Sequence, residues 1–215
     1  MSYMKKISSY WFTKFGLEQL SVFYGYLKKS GWRRSVFSHK PVDQVGEPIP
    51  WYCYAAIYFL DQRLNQIDKC DIRVFEFGSG NSTLWWSKYA SSVISVEDNN
   101  EWYSYVLKHK PMNVTYKFAE GEHDYLESLL SEKSNFSFIV VDGTYREACV
   151  TEAVKKLTDD GVLIIDNSDW DSLQETLIQL EQNGFRRIEF YSLGPVNGHP
   201  WGTSILYRDN NILKL

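Results

Sequence analysis

Residues 74–83 read VFEFGSGNST, and this stretch decides the fold class. It closes a short apolar strand and opens a helix, with Gly78 and Gly80 in the turn that connects them. Glycine at both positions lets the chain take a positive φ and lets a ligand approach backbone N–H groups closely. The polar residues after the second glycine can cap the helix, whose open N–H groups attract anionic or acceptor groups. A strand, a glycine turn and a helix in this order predict an α/β domain with a ligand site at the turn.

From residue 71 onward, short β-rich runs alternate with segments of helical periodicity. The candidate strands are Arg73–Phe77, Val93–Val96, Val114–Phe118, Phe136–Val141, Val162–Ile165, Phe185–Tyr191 and Thr203–Tyr207. This alternation predicts right-handed crossovers and a mostly parallel sheet with helices on both faces. Only about ten residues, rich in glycine and proline, separate the last two strands, so the seventh strand is predicted to run antiparallel to the sixth.

The first 70 residues differ from the rest because they are rich in aromatic side chains. Two helices are predicted there, Tyr10–Leu27 and Trp51–Leu64, with a proline- and glycine-rich stretch between them. We therefore divide the chain into a helical, aromatic-rich extension or lid over residues 1–70 and a ligand-binding domain over residues 71–215. The extension could form a lid over the substrate, an oligomer interface or a helix pair packed on the sheet, and the packed helix is the default interpretation. Its aromatic and basic residues would also suit a peripheral contact with a membrane surface or a polyanionic glycan.

Composition excludes several classes of protein. The chain has 215 residues, a net charge of −4 and 44% hydrophobic residues, which is ordinary globular composition. The acidic balance argues against a nucleic-acid partner. No run of about 18 apolar residues is present, so no transmembrane segment is expected, and the first residues do not have the pattern of a signal peptide. The scattered cysteines Cys53, Cys70 and Cys149 fit no disulfide or metal spacing and favour a reducing, cytoplasmic location.

An acidic residue follows the second predicted strand, Val93–Val96. Glu97, in the run VISVED, comes one strand-helix-strand unit after the glycine turn. A carboxylate at the end of a second parallel strand can accept two hydrogen bonds from a ribose diol. The turn and Glu97 together predict a nucleoside ligand, against the alternative of an ordinary tight turn. Thr83 stands where the dinucleotide fingerprint has its third glycine, which argues against a nicotinamide dinucleotide.

The ordered runs VFEFGSGNST, VISVED, FIVVDG and GVLIIDN resemble the successive motifs of class I S-adenosylmethionine-dependent methyltransferases. The terminal hairpin that ends in TSILYR resembles the same fold, and the resemblance covers about residues 50–207. It implies a Rossmann-like seven-stranded sheet and S-adenosylmethionine as the cofactor.

By position, the resemblance also implies a set of cofactor contacts. The methionine portion would lie against the first motif, at Glu76, Gly78, Ser79, Gly80, Asn81 and Ser82. The ribose would bind Glu97, and the adenine would lie by Asp98, Glu120 and Gly121. Asp142 would lie beside the methionine amine or the substrate.

Three polar residues end the fourth and fifth predicted strands. Asp142 ends the fourth strand, and Asp166 and Asn167 end the fifth. The carboxyl ends of parallel strands open onto one crevice, so these oxygens predict a possible Mg²⁺ or Ca²⁺ site. The trio also resembles the ligand set of metal-dependent catechol-type O-methyltransferases. The alternative is that these residues cap the helices that follow. Without a metal, Asp142 is the first candidate for a catalytic or a cofactor-amine role.

Four further residues are candidates for the same crevice. Arg146 either binds an acidic group of the substrate or pairs with Asp142. His199, in the loop between the last two strands, is either a catalytic base that titrates near neutral pH or a surface histidine. From the extension, Trp51 and Tyr52 are expected to approach the cofactor.

The function predicted from these residues is methyl transfer from S-adenosylmethionine to a small-molecule or sugar acceptor. Oxygen is preferred to nitrogen because of the acidic cluster, and because Asp142 is followed by GTY rather than by a motif typical of amino-group methylation. Two alternatives stay open, a nicotinamide-dependent oxidoreductase and a non-catalytic module that binds S-adenosylmethionine.

Overall fold

A computed structural model of the protein describes Thr13 and residues 16–215, and a seven-stranded sheet lies at its centre. The strands are β1 (Arg73–Phe77), β2 (Ser92–Glu97), β3 (Val114–Phe118), β4 (Phe136–Val141), β5 (Leu157–Asp166), β6 (Arg186–Ser192) and β7 (Trp201–Tyr207). Their order across the sheet is β3-β2-β1-β4-β5-β7-β6. Strands β1 to β5 pair in parallel, whereas β7 pairs antiparallel with both β5 and β6. The predicted mostly parallel sheet with an antiparallel last strand is confirmed.

The observed bounds of the strands differ most from the predicted ones at the start of β5. Strands β1, β3 and β4 have the predicted bounds, but β5 begins at Leu157 instead of Val162. Leu157 pairs with Phe136, and the register then shifts before Phe138. The added part of β5 contains the exposed pair Asp159 and Asp160, which conceals the strand from an analysis based on apolar runs.

Eight α-helices are formed by the described residues. They are α1 (Leu17–Lys29), α2 (Trp32–Ser38), α3 (Tyr54–Leu64), α4 (Asn81–Tyr89), α5 (Asn100–Leu107), α6 (Glu122–Leu130), α7 (Arg146–Ala153) and α8 (Asp171–Gln182). Helix α3 begins at Tyr54 rather than at the predicted Trp51, because Cys53 is extended, with φ −63° and ψ 145°. The predicted helix Tyr10–Leu27 overlaps α1, and its residues 10–12, 14 and 15 lie outside the described part of the chain.

Helices cover both faces of the sheet, as predicted, and each face has its own hydrophobic core. On one face Leu60 of α3 and Trp86 of α4 pack with Val74 and Phe138. On the other face the partners of the strands come from α6, α7 and α8, among them Leu177. Successive residues of a strand point to opposite faces, which is why the fully buried strand β4 serves both cores. Helix α3 belongs to the segment before residue 71, and the division of the chain at that residue stays a prediction.

Leu177 and its neighbour Ile178 provide a test of this packing within a single helix. Leu177 is fully buried in α8, whereas Ile178 is half-exposed. We expect Leu177→Ala to lower the free energy of unfolding by about 2–5 kcal/mol, because it leaves a cavity in the core. The matched variant Ile178→Ala should change it by less than about 0.5 kcal/mol. Urea unfolding followed by circular dichroism measures both values, and equal losses would contradict the described burial.

Candidate active site

A cavity of about 310 Å³ lies at the carboxyl ends of β1, β4 and β5. Carboxyl ends of parallel strands in open α/β sheets are where ligands bind. Seven of the residues that the sequence assigned to a cofactor or metal line this cavity, namely Ser79, Gly80, Asn81, Ser82, Asp142, Asp166 and Asn167. Trp51 also forms part of the wall, whereas Tyr52 is buried and does not line the cavity, so their expected approach to the cofactor stays a prediction. The structure therefore brings the glycine turn and the acidic residues to one site.

The turn after β1 requires glycine at its first position. Gly78 has φ +91°, and a Cβ atom there would lie 2.8 Å from the backbone oxygen of Asp142. The next glycine begins α4, and its N–H donates to the hydroxyl of Thr83 at 3.1 Å. Thr83 in turn donates to the Glu76 carboxylate at 2.5 Å. These contacts hold the turn against the strand that precedes it.

Glu76 is a buried carboxylate that is only partly satisfied. Its Oε2 accepts the hydrogen bond from Thr83, whereas Oε1 has no hydrogen-bond partner among the described residues. Burial raises the pKa of Glu76 from 4.5 to about 7. A buried acceptor without a partner is costly, and a cationic group brought near it would offset that cost. Glu76 thus fits the implied ammonium group of the cofactor, although it lies beneath the turn and not in the cavity wall.

Glu97 is connected to the glycine turn through Ser79. The Ser79 hydroxyl donates to Glu97 Oε2 at 2.6 Å and is also in contact with the hydroxyl of Tyr116. Glu97 Oε1 accepts the backbone N–H of Asn99 at 3.0 Å. Burial raises the pKa of Glu97, and these hydrogen bonds oppose the rise. Each carboxylate oxygen has a further lone pair, so Glu97 retains the capacity to accept from ribose hydroxyls.

Trp102 is a cavity residue that the sequence analysis missed. Its indole Nε1 donates to the backbone oxygen of Ser79 at 2.5 Å. Its ring lies against Gly80, where a Cβ atom would be 3.3 Å from Trp102 Cζ2. The sequence feature that could have indicated Trp102 is Asn99, a residue type that often caps helices. Its side chain accepts a hydrogen bond from the Trp102 backbone N–H at 2.9 Å. A cap directly after β2 places the first turn of α5 beside the glycine turn.

Pro41 is a second cavity residue that the sequence did not indicate. Its backbone oxygen accepts a hydrogen bond of 2.6 Å from the Asn81 side-chain amide, which is buried. Pro41 belongs to the turn-rich stretch between the first helices, and no local motif marks it. The segment before residue 71 therefore contributes both Pro41 and Trp51 to the cavity.

Arg146 lies among the residues predicted to hold a metal. Its Nη2 is 3.2 Å from Asp142 Oδ1, and its Nη1 donates to Asn167 Oδ1 at 2.8 Å and to the backbone oxygen of Asp166. The guanidinium carbon also lies 4.5 Å from the centre of the Trp170 ring. Of the two interpretations of Arg146, the structure shows the ion pair with Asp142.

The carboxylate of Asp166 is directed to β7. Its Oδ1 accepts from the indole N–H of Trp201 at 3.0 Å and from the hydroxyl of Thr203 at 2.6 Å. Burial and the nearby charge of Asp142 raise the pKa of Asp166. The three predicted metal ligands therefore do not converge as free oxygens, because a guanidinium lies among them.

A magnesium site does not fit these residues. Among the residues that the structure describes, no group of three or more His, Cys, Asp and Glu side chains is arranged to hold a metal ion. Asp142 and Asn167 have Arg146 as a partner, and the fixed positive charge of that side chain opposes a cation at the same place. The magnesium hypothesis therefore receives no support from these residues.

Asp142 has the properties of a base that acts near neutral pH. It lines the cavity, and burial raises its pKa to about 7, against the opposing effect of the Arg146 charge. The ion pair joins residues i and i+4, so the first turn of α7 fixes the orientation of the carboxylate. A base whose pKa lies near the working pH is well matched to proton transfer.

Seven predicted site residues do not line the cavity. Three of them are Glu76, Gly78 and Glu97, which belong to β1, the glycine turn and the end of β2. Asp98 follows β2 and accepts a hydrogen bond from the Thr144 hydroxyl. Two others, Glu120 and Gly121, are exposed at the start of α6. His199 is exposed as well, with its ring centre 6.2 Å from that of Trp201. Their predicted roles as adenine neighbours and as a base stay predictions.

No family model matches the chain. No curated protein matches its sequence. Solved structures do match, among them the precorrin-6y C5,15-methyltransferase from Geobacter metallireducens GS-15, with a TM-score of 0.55, 14% identity, and coverage of 71% of this chain and 87% of that one. The O-methyltransferase TomG from Streptomyces achromogenes, solved in complex with SAM, has a TM-score of 0.52 and 16% identity over 70% of this chain and 77% of its own.

A further solved structure shows how far this likeness extends. Spermidine synthase from Thermotoga maritima matches with a TM-score of 0.54 and 13% identity over 73% of this chain and 60% of its own. Identities this low establish a common fold and leave the reaction to the side chains of the site. The chain has the Rossmann-like fold found in class I S-adenosylmethionine-dependent methyltransferases.

The raised pKa of Glu76 predicts a pH dependence of stability. The folded state, with a pKa of about 7, holds a proton that the unfolded state, with an ordinary value of 4.5, has lost over that pH range. The free energy of unfolding should therefore fall as the pH rises from about 4.5 to about 7. Glu76→Gln removes this contribution, which is of order 3 kcal/mol.

Urea unfolding of the parent protein and of Glu76→Gln, at about pH 5 and about pH 8, measures how the free energy of unfolding of each depends on pH. The exposed residue Glu175 supplies the control, since Glu175→Gln should leave the pH dependence as it is in the parent protein. If Glu76→Gln and the parent lose the same stability between the two pH values, the carboxylate is not the source of the effect.

Proposed function

We propose that this protein transfers a methyl group from S-adenosylmethionine to a hydroxyl group of a sugar or another small molecule. The observation that carries the proposal is the 2.6 Å hydrogen bond between Ser79 and Glu97, which joins the glycine turn to the carboxylate that ends β2. A turn and a carboxylate joined in this way can hold the two ends of a nucleoside ligand. The fold shared with SAM-bound TomG supports the same assignment.

The residues around the turn fit the cofactor. Ser79 and Gly80 line the cavity, and Gly80 has no side chain to obstruct a ligand. Glu97, at the end of β2, would accept hydrogen bonds from the ribose hydroxyls. Glu76, beneath the turn, would offer a negative charge to the ammonium group. When bound, S-adenosylmethionine supplies a methyl group on a cationic sulfur, which a nucleophilic oxygen takes by in-line displacement.

Asp142 would hold the proton that the acceptor hydroxyl loses. Its carboxylate lines the cavity, its pKa of about 7 suits a base, and Arg146 fixes its orientation. Most of the rate advantage would come from placing the acceptor oxygen, because orientation alone can supply about 7–11 kcal/mol. No other proton acceptor is needed for the proposed transfer.

The remaining wall of the cavity favours a polyhydroxylated acceptor. Trp51 and Trp201 supply aromatic surface, while Asn167 and Asn197 supply side-chain amides that donate to and accept from hydroxyl groups. Since Trp51 comes from the segment over residues 1–70, that segment is proposed to cover the acceptor side of the site. Both features support a sugar among small-molecule acceptors.

Replacing Glu97 tests the binding of the nucleoside. Glu97→Ala removes both acceptor oxygens, so affinity for S-adenosylhomocysteine should fall by at least about 10²-fold. Glu101→Ala, in the first turn of the next helix and exposed, is the matched control and should bind as the parent does. Isothermal titration calorimetry measures all three proteins. Unchanged affinity in Glu97→Ala, or binding of NADH without binding of S-adenosylhomocysteine, would overturn the proposal.

Replacing Asp142 separates a base from a contact to the cofactor. Asp142→Asn should lower kcat by about 10²–10⁴-fold, because the amide cannot accept the proton. Its affinity for S-adenosylhomocysteine should change little. In the parent protein kcat/KM should rise with pH up to about 7 and level off above it, because the carboxylate must be deprotonated.

Release of S-adenosylhomocysteine in a screen of sugars and hydroxylated small molecules gives the activity for this comparison. A variant that keeps kcat but loses affinity would assign Asp142 to the cofactor amine instead. An absence of product with every acceptor, in a protein that binds S-adenosylhomocysteine, would favour the non-catalytic module.

A further inference from the structure

The charge of the chain is distributed unevenly. The first 40 residues contain eight Lys and Arg residues and one acidic residue, whereas the remaining residues contain 15 basic and 26 acidic ones. The chain as a whole carries a net charge of −4, so the basic character is confined to this one segment. A basic region on an acidic protein indicates a localised attraction to an anionic partner.

Helices α1 and α2 place part of this charge beside exposed aromatic rings. We define the basic–aromatic patch as Tyr24, Lys28, Arg33, Arg34 and Phe37. A shallow depression is lined by Lys28, both arginines and Phe37. Arg33 Nη1 lies 3.3 Å from the Tyr24 hydroxyl, and its guanidinium carbon lies 5.8 Å from the centre of the Phe37 ring. The five side chains therefore form one continuous surface.

Apolar side chains of the patch and of the helix α1 that contributes to it are exposed. The side chain of Phe37 is 76% exposed, and Val22 on α1 is 72% exposed. In α1, Leu20, Phe23 and Tyr24 are also exposed. Large apolar residues that face solvent next to basic residues are typical of helices that lie in a membrane interface.

The charges of the patch are available to a partner. None of the ion pairs formed within the described part of the chain uses Lys28, Arg33 or Arg34. Asp43, on the adjacent loop, directs Oδ1 to the backbone N–H groups of residues 45–47 at 2.8–2.9 Å. These hydrogen bonds hold the Asp43 carboxylate in its own turn.

We propose that the basic–aromatic patch binds the protein to an anionic lipid membrane. Lys28, Arg33 and Arg34 would lie at the level of the phospholipid headgroups, and Phe37 would enter the boundary with the acyl chains. A soluble polyanion such as an acidic glycan would satisfy the charges alone and would leave the exposed ring of Phe37 in water. No helix within the described residues is long and apolar enough to cross a bilayer, so the contact is peripheral.

The patch is close in structure to the rim of the cavity. Trp32 of α2 donates from its indole Nε1 to the backbone oxygen of Asn197 at 2.8 Å. Asn197 lines the cavity, and so does Pro41, which follows α2 in the chain. Binding through α2 would consequently hold the cavity near the membrane surface.

Flotation of the full chain with lipid vesicles tests the proposal without any cofactor. The protein should bind vesicles of phosphatidylcholine with phosphatidylserine, should bind vesicles of phosphatidylcholine alone much more weakly, and should lose affinity as salt is added. The double variant R33Q/R34Q removes two charges, so its affinity for the anionic vesicles should fall about 30-fold. Phe37→Ser should reduce the binding that persists at high salt.

The matched control is K108Q/K133Q, which removes the same charge from exposed lysines on other elements and should bind as the parent does. Thermal unfolding verifies that each variant is folded. Equal binding to both kinds of vesicle, no binding to either, or equal loss in the control and the double variant would overturn the proposal. Binding to heparin without binding to vesicles would overturn it in favour of a glycan. None of these results depends on methyl transfer.

Discussion

The close approach of Gly78 to the end of β4 is the contact on which the rest of the site depends. The N–H of Asp142 donates to the backbone oxygen of Phe77 at 2.9 Å, and a Cβ atom on Gly78 would lie 2.8 Å from the Asp142 oxygen. Only a residue without a side chain, at positive φ, can turn in so small a space. The turn then places Ser79 within reach of Glu97 and starts α4 beside the cavity.

A concentration of buried negative charge follows from this arrangement. Burial raises the pKa values of Glu76, Glu97, Asp142 and Asp166, and in each of them a nearby carboxylate adds to the effect of burial. Arg146 is the cation that the cavity wall supplies, and its ion pair is with Asp142. Such a site favours a ligand that brings positive charge with it. A sulfonium centre and an ammonium group are both cationic, which supports the proposed cofactor on electrostatic grounds.

The sheet was largely predictable because its determinants are local. Short apolar runs, the glycine turn and the brief last connection specify the strands, the parallel part and the antiparallel hairpin. The contacts of Arg146 were not predictable from local sequence. Its side chain reaches Asp142, Asn167 and the backbone of Asp166 because the segments that follow β4 and β5 lie next to each other in the folded chain. The metal hypothesis lacks support for the same reason. It considered only the polar residues at the strand ends and not the Arg146 side chain that lies between them.

Under the proposed function, the acceptor would contact a part of the cavity wall formed by Trp51, Asn197 and Trp201. Trp201 is held by its indole bond of 3.0 Å to Asp166, and Asn197 is held by the bond of 2.8 Å from Trp32. Trp51 completes this wall from the segment before the sheet. These contacts join the hairpin to the first helices, and the bond of 2.6 Å from Asn81 to Pro41 joins the same segment to the helix after the glycine turn. Under the proposed function, substitutions at Trp51 or Trp201 would change the acceptor more than the cofactor, because neither side chain contacts the glycine turn or Glu97 directly in the hydrogen bonds described, and differences of this kind let one fold serve different reactions.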